Sequence, residues 1–79
     1  MKQGYWNYRL VRRQFPDDES LTGIYEAHYD TNSDVPHSIS SEPTSVVADT
    51  GFQIADILSR MLEATNKPIL RYEDFDTGK

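Results

Sequence analysis

The sequence contains no cysteine among its 79 residues and no apolar run long enough to span a membrane. The missing cysteine excludes disulfide bonds and thiolate metal ligands, and it fits a reducing compartment. The first residues, MKQGYWNYRLVRR, lack the apolar segment of a secretion signal. Together these features predict a soluble cytoplasmic protein.

The signatures of common enzymes are also missing. The sequence has no Gly-rich phosphate loop, no Gly-x-Ser-x-Gly motif and no His-Glu-x-x-His motif. Several serines follow His37, but neighbours in sequence do not by themselves make a nucleophile and its base. We therefore expect a protein that is not an enzyme and has no cofactor.

Positive charge is scarce and unevenly placed. The net charge is −5. Residues 1–13 carry four bases and no acid (+4), whereas residues 14–79 carry four bases and thirteen acids (−9). An acidic chain of this kind binds polyanions poorly. We expect acidic neighbours within the protein to neutralise the basic segment.

One segment, Thr50–Thr65, predicts its own structure. Its apolar residues recur at the three- and four-residue spacing of a helix face, and they are Ile54, Ile57, Leu58, Met61 and Leu62. Thr50 and Gln53 have the spacing of a helix capping box. Lys67-Pro68 predicts where the helix stops. This helix is the element available to cover one face of a sheet.

Two strands are predicted before the helix, Tyr5–Gln14 and Leu21–Asp30, because both are rich in aromatic and branched residues. A four-residue loop would join them as a hairpin with Phe15 opposite Ser20. In that register the residues beneath the helix are Trp6, Tyr8, Leu10, Tyr25, Ala27 and Tyr29. Arg9 then pairs with Glu26 on the other face.

A third, shorter strand is predicted at Val35–Ser41, where Pro36 favours a sheet edge. Its Ile39 is expected to lie under the helix, and Ile69–Tyr72 would be a short fourth strand. The predicted fold is α+β in the order β-β-β-α-(β), an antiparallel meander of three or four strands with one covering helix. The domain spans residues 1–72, and residues 73–79 are expected to be a flexible acidic tail that folds back onto the basic strand.

Two histidines raise the question of a metal. In one register of the second hairpin, His28 faces His37 with Glu26 beside them, a set that could hold a divalent ion. In the register that we favour, the imidazoles lie on opposite faces of the sheet. No metal site is therefore predicted.

Five short segments together suggest a family: Trp6-Asn7-Tyr8-Arg9, Tyr29-Asp30, Glu42-Pro43, Met61-Leu62-Glu63-Ala64 and Lys67-Pro68-Ile69-Leu70. In this order they resemble a group of short, uncharacterised bacterial proteins. The resemblance implies a bacterial cytoplasmic protein. The β-β-β-α order is also similar to the small domain of HicB-type antitoxins, which is a likeness of fold alone.

The sheet face that the helix leaves uncovered is the predicted interaction surface. It would present an apolar centre with a charged rim, as protein interfaces do. Its residues are Tyr5, Asn7, Arg9, Val11, Ile24, Glu26 and His28. We expect a small protein-interaction or regulatory module that uses this face or an edge strand, with a protein partner or a second copy of itself. The alternative is a nucleic-acid-binding or antitoxin-like module that uses the same face.

Overall fold

The computed structural model describes residues 4–75. Its elements, in chain order, are β1 (Tyr5–Gln14), β2 (Ser20–Tyr29), β3 (Ser38–Ile39), helix α1 (Gly51–Ala64), β4 (Leu70–Arg71) and a 3-10 helix at Tyr72–Asp74. The strands form one sheet in the order β3-β2-β1-β4. β1, β2 and β3 form the predicted antiparallel meander, but β4 runs parallel to β1. The fold is therefore α+β with one helix and a mixed four-stranded sheet.

Helix α1 begins and ends where its local signals predict. Thr50 has extended backbone angles and its Oγ1 accepts a hydrogen bond from the backbone N–H of Gln53 at 3.2 Å. The Gln53 side chain accepts in turn from the N–H of Asp49 at 3.0 Å, one residue before the expected capping-box partner. Thr65 closes the other end, where its N–H bonds to the carbonyl oxygen of Leu62. Each end of α1 therefore has a capping hydrogen bond from a nearby residue.

The hairpin of β1 and β2 is present, but its predicted register is wrong by one residue. Arg9 lies opposite Tyr25 and Leu10 lies opposite Ile24. The backbone N–H of Phe15 bonds to the carbonyl oxygen of Glu19 at 2.8 Å, so the loop has three residues instead of four. Its last residue, Asp18, has a φ of 69°, which matches the left-handed residue that ends three-residue hairpin loops.

This one-residue difference moves the side chains of β2 to the opposite face from the one predicted. Residues directly opposite in the ladder share a face, so the helix covers the face of Tyr8, Leu10 and Ile24. There Tyr8 packs in a core cluster with Met61 and Ala64 of α1. The expectation that Tyr25, Ala27 and Tyr29 lie under the helix is therefore wrong.

The face away from α1 holds a second core. Its buried residues are Val11, Tyr25, Ala27, Tyr29 and Ile39, and the partly buried residues packed on them are Leu70, Tyr72 and Phe75. Ile39 lies opposite Ala27, so it does enter a core, but not the one beneath the helix. Each face of the sheet is therefore covered in part, one by α1 and the other by Leu70, Tyr72 and Phe75.

The two outer strands are shorter than predicted. β3 contains two residues, because Ser40 uses its Oγ as well as its N–H to bond to the backbone of Glu26 and the regular ladder stops there. At the other edge, the N–H of Gln14 donates to Oε2 of Glu73 at 3.0 Å. Arg13 lies over the Tyr72 ring, 4.2 Å from its centroid. Residues 73–75 of the predicted tail thus pack against β1, and residues 76–79 lie outside the described part of the chain.

Candidate interaction surfaces

The seven residues of the predicted interaction face do not share a face. The odd-numbered residues of β1 lie on the side of the second core, whereas the even-numbered residues of β2 lie on the helix side. Val11 has no exposed surface and Arg9 is 6% exposed, so neither can contact a partner directly. Arg9 also lies away from Glu26, which removes the predicted ion pair. The remaining residues are split between the two faces: Tyr5, Asn7, Ile24, Glu26 and His28.

The exposed members of that set have partners within the chain. Tyr5 stacks on Tyr29 with ring centroids 4.5 Å apart, and its hydroxyl donates to the carbonyl oxygen of Ser33 at 2.6 Å. Nε2 of His28 lies 3.7 Å from Oε1 of Glu26. These contacts leave a small polar surface beside Trp6, which is half-exposed.

The two histidines pair with different carboxylates. Nε2 of His37 lies 3.9 Å from Oδ1 of Asp30, whereas His28 approaches Glu26. Among residues 4–75, no group of three or more His, Asp or Glu side chains is arranged to hold a metal ion. Each imidazole thus lies near a single carboxylate on the protein surface.

The apolar stripe of α1 predicts Leu58 and Leu62 as core residues, but both are exposed. At 100° per residue, Ile57, Met61 and Ala64 point towards the sheet. The next arc of about 120° is solvent-exposed and contains no charge. We call it the uncharged helix face, and its residues are Phe52, Ala55, Leu58, Ser59 and Leu62.

The exposure of this face is high for such large side chains. Phe52 is 91% exposed, Leu58 51% and Leu62 67%. The charged residues of α1 all lie on the remaining arc, where Nε of Arg60 contacts Oδ2 of Asp56 at 3.1 Å. A helix in a plain solvated position usually distributes charge over its whole outer surface. The uncharged helix face therefore has the composition of an interface centre.

The sequence shows where this surface borders the core. The five apolar residues of α1 cover an arc of about 140°, and Leu58 and Leu62 form one border of that arc. The uncharged residues Ala55 and Ser59 extend the apolar surface away from the sheet. Periodicity alone assigned the whole stripe to the core.

A second feature lies between β1 and the C-terminal end of α1. It is a cavity of about 220 Å³ lined by Trp6, Asn7, Tyr8, Arg60, Glu63, Ala64 and Lys67. Trp6 and Tyr8 meet edge-to-face with ring centroids 5.1 Å apart. Oδ1 of Asn7 is buried and has no hydrogen-bond partner. The cavity thus combines an aromatic wall with charged groups from the end of the helix.

Comparison with protein-family models, with curated proteins and with solved structures finds no match for this chain. Within residues 4–75, no helix combines the length and apolar character of a transmembrane segment.

Proposed function

We propose that this chain is a small non-catalytic protein-interaction module that docks through the uncharged helix face. The observation that carries the proposal is the high exposure of Phe52, Leu58 and Leu62 on one charge-free surface. Large exposed apolar patches on small proteins commonly mark sites where a partner binds. Burial of one such large side chain contributes about 1.5–3 kcal/mol.

The occupant that this surface fits best is a second copy of the chain. Two α1 helices packed antiparallel around a twofold axis would place Leu58 of one protomer against Leu62 of its partner, and the reverse. Ala55 and Ser59 are small enough to let the two helices approach closely. The net charge of −5 on each protomer opposes self-association, and a contact face without charged residues adds no like-charge pair to that repulsion.

The dimensions of the protein support an additional contact. The Cα radius of gyration is 13.5 Å, whereas a compact domain of this length is expected to have about 11.6 Å. A less compact chain exposes more surface for its length, and a dimer would cover part of that surface.

Sedimentation velocity over about 1 µM to 1 mM tests the proposal, because this range spans weak to moderate affinities. We expect a monomer–dimer equilibrium that Leu62→Glu shifts to monomer. Leu21→Glu is the matched control, since Leu21 is 66% exposed but lies on β2. A wild-type monomer across the whole range, or equal effects of the two substitutions, would overturn the proposed dimer.

The nucleic-acid alternative has less support. It required Arg9 on an open face beside Tyr5 and Asn7, yet the Arg9 side chain is buried. Arg13, which lies on the same side of β1 as Arg9, packs over the Tyr72 ring, and its Nη1 lies 3.9 Å from Oε2 of Glu42. A cytoplasmic location stays part of the proposal and is supported by the cysteine-free sequence.

A further inference from the structure

We infer that the free edge of β1 at Trp6–Tyr8 binds an extended peptide segment, which adds to the sheet as a short strand inside the cavity at the end of α1. This site is separate from the uncharged helix face and does not depend on the proposed dimer. The inference rests on the direction of the backbone groups of β1, on the cavity beside them and on the charges around it.

The hydrogen-bond pattern identifies the free backbone groups. In β2, the carbonyl oxygens of Ile24, Glu26 and His28 accept bonds from the β3 side, so even-numbered residues point away from β1. In the hairpin, even-numbered residues of β1 lie opposite even-numbered residues of β2. The backbone N–H and C=O groups of the even-numbered β1 residues therefore point away from β2. The N–H of Gln14, which donates to Glu73, follows this rule.

Only part of that edge is occupied. β4 pairs with β1 at Val11 and Arg12, and the preceding carbonyl oxygen of Pro68 accepts from Nη2 of Arg9 at 2.8 Å. Within residues 4–75, no backbone group pairs with the outward N–H and C=O groups of Trp6 and Tyr8. Four backbone groups are therefore available for a strand, which is the requirement for strand addition.

The cavity lies where such a strand would run. The end of α1 packs on Tyr8 through Ala64, Lys67 lines the cavity beside Tyr8, and the carbonyl oxygen of Pro68 accepts a hydrogen bond from Arg9. A residue in a packed strand occupies about 160 Å³, from a rise of about 3.4 Å and spacings of about 4.8 and 10 Å. The cavity of about 220 Å³ thus holds between one and two residues of a guest strand, with the flanking residues outside it.

The charges favour a guest that carries a carboxylate. Two bases, Lys67 and Arg60, and one acid, Glu63, line the cavity. Arg60 is already paired with Asp56, so Lys67 is the base that remains available to a guest. Lys67 forms no ion pair within residues 4–75. An acidic side chain or a terminal carboxylate of the guest can therefore pair with Lys67 while the half-exposed indole of Trp6 packs on the guest strand.

Hydrogen exchange followed by NMR on the full chain tests the site, with the peptide acetyl-Thr-Val-Thr-Val-Asp-amide as the probe. In the free protein, the amides of Trp6 and Tyr8 should exchange faster than those of Asn7 and Arg9, which face β2. With peptide at about ten times its Kd, their exchange should slow about tenfold. The fluorescence of Trp6, the one tryptophan of the chain, should shift with the same concentration dependence.

Two controls separate strand addition from other binding. A peptide with N-methylated backbone amides keeps the side chains but cannot donate to the β1 edge, so it should not bind. Lys67→Glu should weaken binding of the acidic peptide about two- to fivefold, as expected for an exposed ion pair, and Arg71→Glu should not. Leu62→Glu should leave the affinity unchanged, which distinguishes this site from the helix face.

Three results would overturn the inference. The first is exchange of the Trp6 and Tyr8 amides that is as slow as that of Asn7 in the free protein. The second is the absence of protection at millimolar peptide. The third is equal binding of the N-methylated peptide, which would indicate a side-chain or small-molecule site in the cavity instead of an added strand.

Discussion

Nη1 of Arg9 donates a hydrogen bond of 2.9 Å to the hydroxyl of Tyr29 inside the protein. The second amino group of the guanidinium donates to the carbonyl oxygen of Pro68, and no carboxylate within residues 4–75 contacts it. A buried charge without a counter-ion is held by such neutral acceptors alone. Arg9 therefore ties β2 and the segment after α1 to the centre of β1.

The Tyr29 hydroxyl should be worth more to stability than the Tyr5 hydroxyl, although the two rings stack on each other. Tyr29→Phe removes an acceptor from a buried cation and should lower the free energy of unfolding by about 1.5–3 kcal/mol. Tyr5→Phe removes an exposed bond to Ser33 and should change it by at most about 1 kcal/mol. Urea unfolding measures both, and equal losses would contradict the buried role of Arg9.

Val11 should behave as a core residue. Val11→Ala should lower the free energy of unfolding by about 2–3 kcal/mol, from lost burial plus a residual cavity. Val47→Ala is the control, because Val47 is exposed and should change stability by less than about 0.5 kcal/mol. If Val11→Ala left the free energy of unfolding unchanged, the result would favour the alternative register, in which Val11 lies on an open face.

The three-residue loop between β1 and β2 can be tested with its two neighbouring acids. Asp18→Gly should raise the free energy of unfolding by about 0.5–1 kcal/mol, because glycine adopts a positive φ without strain. Asp17→Gly should lower it by about 1 kcal/mol, since Oδ1 of Asp17 accepts from the N–H of Glu19. Thermal unfolding distinguishes the two, and the opposite order would favour the four-residue loop.

Two glycines should respond to alanine with opposite signs. A Cβ at Gly4 would collide with the carbonyl oxygen of Tyr29, so Gly4→Ala should loosen the start of β1 and lower stability by about 1–3 kcal/mol. A Cβ at Gly51 meets no atom, and Gly51→Ala in the first turn of α1 should stabilise by about 0.4–1 kcal/mol. Equal changes in urea unfolding would argue against this packing of β1 on β2.

The sequence predicted those elements that depend on local signals. The bounds of α1 follow from the spacing of its own apolar residues and from the capping residue Thr50, which directly precedes it. These signals are local in sequence. The hairpin also followed from two strand patterns. Its register did not, because a loop of three residues and one of four both fit Pro16–Glu19, and the choice reverses the faces of β2.

The uncharged helix face and the free edge of β1 both depend on contacts between residues that are distant in sequence. Whether Leu58 and Leu62 are buried depends on how much of the sheet lies beneath α1, which periodicity does not encode. The free edge at Trp6–Tyr8 depends on where β4 joins β1, and β4 has only two residues. A strand this short gives a weak local pattern, so its position is fixed by the contacts of Arg9 and Val11.

The position of residues 70–75 after α1 in the chain affects how the protein folds during synthesis. Leu70, Tyr72 and Phe75 cover the second core, yet they follow α1 in the chain. A ribosome that releases about 5–20 residues per second delivers the hairpin and α1 first. Until residue 75 emerges, Val11 and Tyr25 remain uncovered, and the nascent chain presents an apolar sheet face to chaperones that the finished protein conceals.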